Sequence, residues 1–214
     1  MKAKPAVVVG GLLAAALPWA FAGAETWRNH FDVDGLSRPP AFFDFVVLGN
    51  PGKAAWAVLA DENPPSPPNK VFQAVGDRPE GSVAAALRRN VSLQDGRVTV
   101  FVKRTAARGG LVLRLTPAKD CLLLLVDADT GKARLSSFRG GKATELASGQ
   151  GAVNRAWGKL GVVLSGAEVR ATWNDAPLFS AADPAPAAGR VGIATEGPGR
   201  ASFDEFVIDD GKSP

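Results

Sequence analysis

Apolar and polar residues alternate in short runs along this chain, with turn residues between the runs at intervals of about 8 to 12 positions. A period of two predicts half-buried β-strands, and no sustained helical periodicity competes with it. The clearest runs are 96–104, 111–115, 121–126, 132–138, 160–164, 168–173, 190–194 and 202–208. Fainter ones lie at 56–59, 71–73 and 84–87. Asp95-Gly96, Asp129-Thr130-Gly131, Gly140-Gly141, Ser165-Gly166 and Asn174-Asp175 put residues that tolerate positive φ between them, so hairpins are expected. The prolines of 64–68 cannot donate to a ladder and predict an extended loop, and 181–189 reads as the link between the last strands.

The first residues have a different character. Lys2 and Lys4 precede an apolar stretch, 5–17, which ends in small residues offering two cleavage sites, after Ala22 and after Ala24. A membrane span needs roughly 20 uninterrupted apolar residues. This stretch carries Gly10-Gly11 within it and Pro18 beyond it, so residues 1–24 are expected to be a cleaved signal peptide. A lipid anchor would need a cysteine just after the stretch, and the single cysteine is Cys121. The expectation is an exported protein, periplasmic or extracellular, with no stable membrane anchor. Residues 25–214 are enough for one β-sandwich domain.

Composition narrows the partners. The pI near 9.5 suggests nucleic acid, but losing Lys2 and Lys4 with the leader lowers the formal charge from +4 to +2. The remaining basic pairs, Arg88-Arg89 and Lys103-Arg104, form no long run and have no aromatic interleaving, so no nucleic-acid partner is expected. One thiol cannot make an internal disulfide, and Cys121 beside 122–125, all leucine, reads as a small buried hydrophobe.

Chemistry is expected to be sparse. A glycosidase needs two carboxyl groups roughly 5 to 9.5 Å apart, and no Glu-x-Asp or Glu-x-Glu strand occurs. Asp127-Ala128-Asp129 has the alternation but runs into Thr130-Gly131, which favours a hairpin turn, and an EF-hand reading fails because its twelfth position is Phe138. His30 is the single histidine and lies near the expected mature terminus, where poor order is usual. A Ser-His-Asp triad and a multi-histidine metal site are thereby excluded. Asn90-Val91-Ser92 matches a glycosylation sequon, a pattern common by chance.

Four residues are candidates for a ligand surface. In 111–115 the leucines share one face, so Arg114 is expected to project from the sheet opposite the core and to offer a donor fork. Asp61 and Gln73 flank the proline-rich stretch and could line a cleft with Trp56, although a tryptophan in an alternating run more often packs in a core. Asp204 is expected on the face of Phe206 and Ile208, partly buried and needing donors. No cofactor and no metal ligand set is expected, with a structural calcium at Asp204 left as an alternative.

The order of landmarks resembles the 3-keto-disaccharide hydrolase domain family. They are Phe31-Asp32 with Gly35, Trp56-Ala57-Val58 with Asp61 and Pro65-Ser66-Pro67, then 110–114, Trp157, Trp173-Asn174-Asp175, Asp183, 188–193 and 203–206. The resemblance implies a two-sheet antiparallel jelly-roll sandwich of the concanavalin A-like and laminin G-like kind. Relatives usually carry tyrosines near the place of Cys121-Leu122-Leu123, and this chain has none. Three functions remain: a carbohydrate-binding module using the concave sheet face, a hydrolase of 3-keto-glycosides, which rests on the resemblance, and a structural or assembly domain. The sequence leaves the sugar and the oligomeric state open.

Overall fold

A computed structural model describes residues 25–68, 70–75, 78–103, 105, 107–153 and 156–211. The expected signal peptide, 1–24, and Arg104 lie outside the described residues. Among the described residues fifteen strands follow one another: β1 (Thr26–Asn29), β2 (Phe43–Gly49), β3 (Ala55–Ala60), β4 (Lys70–Val75), β5 (Ser82–Leu93), β6 (Gly96–Lys103), β7 (Arg108–Leu115), β8 (Cys121–Asp127), β9 (Lys132–Arg139), β10 (Lys142–Gln150), β11 (Trp157–Ser165), β12 (Glu168–Trp173), β13 (Ala176–Ala182), β14 (Gly189–Glu196) and β15 (Ala201–Asp209). Among the described residues there is no helix, and every strand pair is antiparallel.

The strands form two sheets. One runs β13-β12-β11-β6-β15-β4-β3, with β1 also on β15, and the other runs β10-β9-β8-β7-β14-β5-β2. Val98, Val100, Val102, Leu160 and Phe203 of the first meet Leu111, Leu122, Leu124 and Ile193 of the second in a common core. Each such side chain, once fully buried, contributes about 1.5–3 kcal/mol. The run 121–126 does not alternate because both of its faces are buried. Leu122, Leu124 and Val126 belong to that core, whereas Cys121, Leu123 and Leu125 join a second apolar cluster with Leu87, Val112 and Phe138 on the other face. Burial pushes the Cys121 thiol up to about 12, in keeping with an inert buried cysteine.

The turns form as their residues require. Asn174 and Asp175 both take positive φ between β12 and β13, as do Gly140 and Gly141 between β9 and β10. Asp127 Oδ1 accepts from the amides of Asp129 and Thr130, so the acidic alternation there is a hairpin turn. Two bulges overturn expectations about faces. Arg114 has φ 54° and Glu205 has φ 49°, and at each the alternation breaks. Leu111 and Leu113 therefore point into the inter-sheet core while Leu115 joins the second cluster. On β15, Phe203 and Phe206 both point inward and Asp204 faces away from them.

The segment around His30 is tied down rather than loose. β1 pairs with β15, and His30 Nδ1 lies 2.6 Å from Glu205 Oε1. Strand order ends that residue's isolation, because the terminal segment is tied into a sheet.

Candidate ligand-binding site

The four residues singled out in the sequence do not share a groove. Trp56 points inward from β3 and is 4% exposed, its ring centroid 4.9 Å from that of Phe72, so it is a core residue rather than a sugar platform. Arg114 is 3% exposed and does not project to solvent, because the bulge at its own position turns it to the end of the sandwich. There Nη1 donates to Asp183 Oδ2 at 2.7 Å, Nε and Nη2 donate to the Gln94 carbonyl, and Nη2 also donates to that of Gly166. Its fork is spent on tying the β5–β6 turn, the β11–β12 turn and the loop after β13 together.

Gln73 lies on the outer side of β4 and donates from Nε2 to Ser202 Oγ at 2.7 Å. Beside it the proline-rich loop crosses the sheet, held where Ser66 N and Oγ donate to Asp204 Oδ2 at 3.0 and 2.9 Å. Asp204 is fully buried, and Glu205 N donates to its other oxygen. Burial raises its carboxyl to about 6, against the opposing pull of the Ser66 hydrogen bonds. Its oxygens thus have protein donors, and among the described residues no group of three or more His, Cys, Asp or Glu could hold a metal ion.

Asp61, just past β3, does face a cavity. Lys103 Nζ donates to its carboxylate, and that ammonium sits 5.7 Å from the centre of the Trp157 ring. Trp157 Nε1 donates to the Asn63 carbonyl at 2.8 Å. These groups line a space of about 330 Å³.

A second charged site was not singled out in the sequence. At one end of the outer face of the seven-stranded sheet, Glu196 of β14 pairs in register with Arg108 of β7, whose Nη1 donates to Oε2 at 2.9 Å. Arg134 of β9 donates from Nη2 to both carboxylate oxygens, at 2.8 and 3.0 Å. β9 stands three strands from β14, roughly 14 Å at the usual spacing. Both long side chains are needed to cross that distance, and Gly110 between them adds no side chain to the row. A Cβ on Gly110 would stand 2.0 Å from the Leu124 carbonyl oxygen.

Two cavities flank this fork and share Arg108 and Asp127. The smaller, about 120 Å³, is floored by Leu125 and walled by Lys132, Arg134, Glu145 and Ser148. The larger, about 510 Å³, is walled by Glu80, Glu196, Gly197 and Pro198. Glu196 is engaged by two guanidiniums and Asp127 by turn amides, so the cavities offer guanidinium N–H donors together with the Glu80 and Glu145 carboxylates around an apolar floor. This suits hydroxyl and ring oxygens presented by a flat polar ligand. Alternation puts Arg108 and Arg134 outward, but only the strand order brings them to one carboxylate.

No known family model matches the chain, and no curated protein matches it in sequence. Solved structures do match in shape. One is the carbohydrate-binding module CBM66 from Bacillus subtilis, with TM-score 0.60, 18% identity, and coverage of 79% of this chain and 97% of that one. Another is a Bacillus subtilis protein of unknown function with a galectin-like fold, with TM-score 0.59, 11% identity, and coverage of 88% and 96%. A third is a β-1,3-1,4-glucanase (lichenase) derived from a mouse hindgut metagenome, with TM-score 0.54, 12% identity, and coverage of 87% and 99%. The chain is therefore a two-sheet antiparallel jelly-roll β-sandwich, the fold that these structures share.

Proposed function

We propose that this domain binds a carbohydrate on the outer face of its seven-stranded sheet, at the Arg108–Glu196–Arg134 fork. The observation that carries the reading is that Arg108 lines both cavities and Arg134 the smaller one, above the apolar floor of Leu125, with both guanidiniums held on Glu196. A forked carboxylate–guanidinium pair holds its donors in one orientation, so little rotamer entropy is lost when a sugar docks. The fold's similarity to a carbohydrate-binding module supports the class of ligand. Glycan-array screening followed by titration calorimetry tests it. Arg134→Ala is expected to weaken a retained glycan about tenfold or more, roughly 1.4 kcal/mol. No retained glycan, or equal affinity in Arg134→Ala and Glu196→Gln, would sink the reading and favour a structural or assembly role.

Hydrolysis of 3-keto-glycosides is the second reading. It is favoured by Asp61, a landmark of the family resemblance, which lines a cavity with Lys103 and Trp157. Turnover of a 3-keto substrate that disappears in Asp61→Ala supports it, and no turnover removes it. Export belongs with both readings, and mass spectrometry of the mature chain, expected to begin at Gly23 or Glu25, tests it.

A further inference from the structure

Among the described residues the sandwich protects its strand edges, with one exception. β3 is covered by backbone, since Ser37 N donates to the Val58 carbonyl and Val58 N to that of Arg38. β10 and β13 pack against each other, and each is irregular: β10 has a register shift between Glu145 and Ala147, and β13 carries Pro177. β1 is four residues long. β2 has none of these devices. Among the described residues it pairs with β5 alone, in unbroken register from Phe43 to Gly49, and it carries no proline, lysine or bulge. Its sequence, Phe-Asp-Phe-Val-Val-Leu-Gly, is rich in strand-forming side chains, and Phe45 is 39% exposed. A regular, apolar open edge is a template for another strand.

We infer that β2 is the contact by which two copies of this chain associate, pairing antiparallel about Val46 and continuing the seven-stranded sheet into its copy. The strand is complementary to itself in that register. Phe45 stands opposite the partner subunit's Val47, Phe43 opposite the partner subunit's Gly49, and Val46 opposite the partner subunit's Val46. Asp44, the strand's one charge, stands opposite the partner subunit's Leu48, so the two acidic groups do not face each other. Its carboxylate is already held within the subunit by Arg89 at 2.7 Å and Arg190 at 2.6 Å. Pairing satisfies the free edge and covers Phe45, and a two-fold closes after one contact, so growth stops at a dimer. The glycan fork lies at the β7, β9 and β14 end of the face and stays open.

Light scattering on the mature protein is expected to give twice the chain mass, and Val47→Lys, whose site is only half-buried, to shift it to the monomer with an unchanged far-UV spectrum. A register test needs no loss of association. Opposed strand residues approach within disulfide reach, so Val46→Cys is expected to cross-link on oxidation, whereas Val47→Cys, facing Phe45, is not. The native thiol, Cys121, is buried and does not compete. A monomer at the highest soluble concentration overturns the inference. So does a dimer that survives Val47→Lys, one that fails to cross-link through Val46→Cys, or one that cross-links through Val47→Cys.

Discussion

Arg114 shows most clearly how one residue can look functional and be structural. Its guanidinium and the Asp183 carboxylate are both about 2% exposed or less, and three segments hang on the pair. Removing Arg114 leaves the buried Asp183 carboxylate with only the longer contact from Arg139, at 3.4 Å, and the Ala185 amide, and breaking a buried pair costs up to about 3–5 kcal/mol. Arg114→Met is therefore expected to lower stability by that order in urea unfolding. Arg114→Lys should recover little of it, because an ammonium cannot reach Gln94, Gly166 and Asp183 in one fork. Equal stability of Arg114→Lys and the wild type would contradict this. In the sequence the residue reads as a surface donor because alternation assumes an unbroken strand. The bulge arises from local φ, which the pattern Leu-Val-Leu-Arg-Leu does not disclose. Trp56, offered as a cleft-lining candidate against a competing core reading, is a core residue because its strand keeps the period.

Among the elements, legibility followed burial contrast. β6 and β12 each have one face on the core and one on solvent, and their alternation was plain. β10 and β13 are half-exposed edges, so their sequences do not separate two faces, and they passed unmarked. β2 was missed because 43–48 is mostly apolar and contrasts with nothing. The proline-rich loop was foreseen, but what holds it was not: Ser66 must meet Asp204 across 138 positions of sequence. That contact gives a prediction for the loop as a unit. Ser66→Ala deletes one of three donors to a buried carboxylate, a loss of about 1–3 kcal/mol. Faster proteolysis within 61–68 is expected alongside the lower unfolding midpoint. An unchanged midpoint together with an unchanged cleavage rate would mean that the loop is held by something else.

For the molecule as a whole, the buried carboxylate of Asp204 sets a direction for stability against pH. Burial lifts its folded pKa from 3.8 to about 6, so between those values the folded state holds a proton that the unfolded chain has released. Stability then falls as pH rises across that window, since its slope follows protons bound unfolded minus folded, which is negative there. The group's contribution is fully present below 3.8 and gone above about 6. A shift of about two units corresponds to roughly 3 kcal/mol. Asp44 works the other way, because hydrogen bonds from Arg89 and Arg190 lower its pKa and its stabilisation fades as pH drops through the folded value. That pair is largely exposed and screened, so the buried group should dominate. Asp204→Asn keeps an oxygen for Ser66 but cannot ionise. Denaturant unfolding near pH 7 and at about pH 4.5 is expected to show the wild type losing stability toward neutrality, with that difference reduced by about 2 kcal/mol in Asp204→Asn, since pH 4.5 already lies above the unfolded pKa. Equal pH differences in the two proteins would show that Asp204 ionises in the folded state as readily as in water.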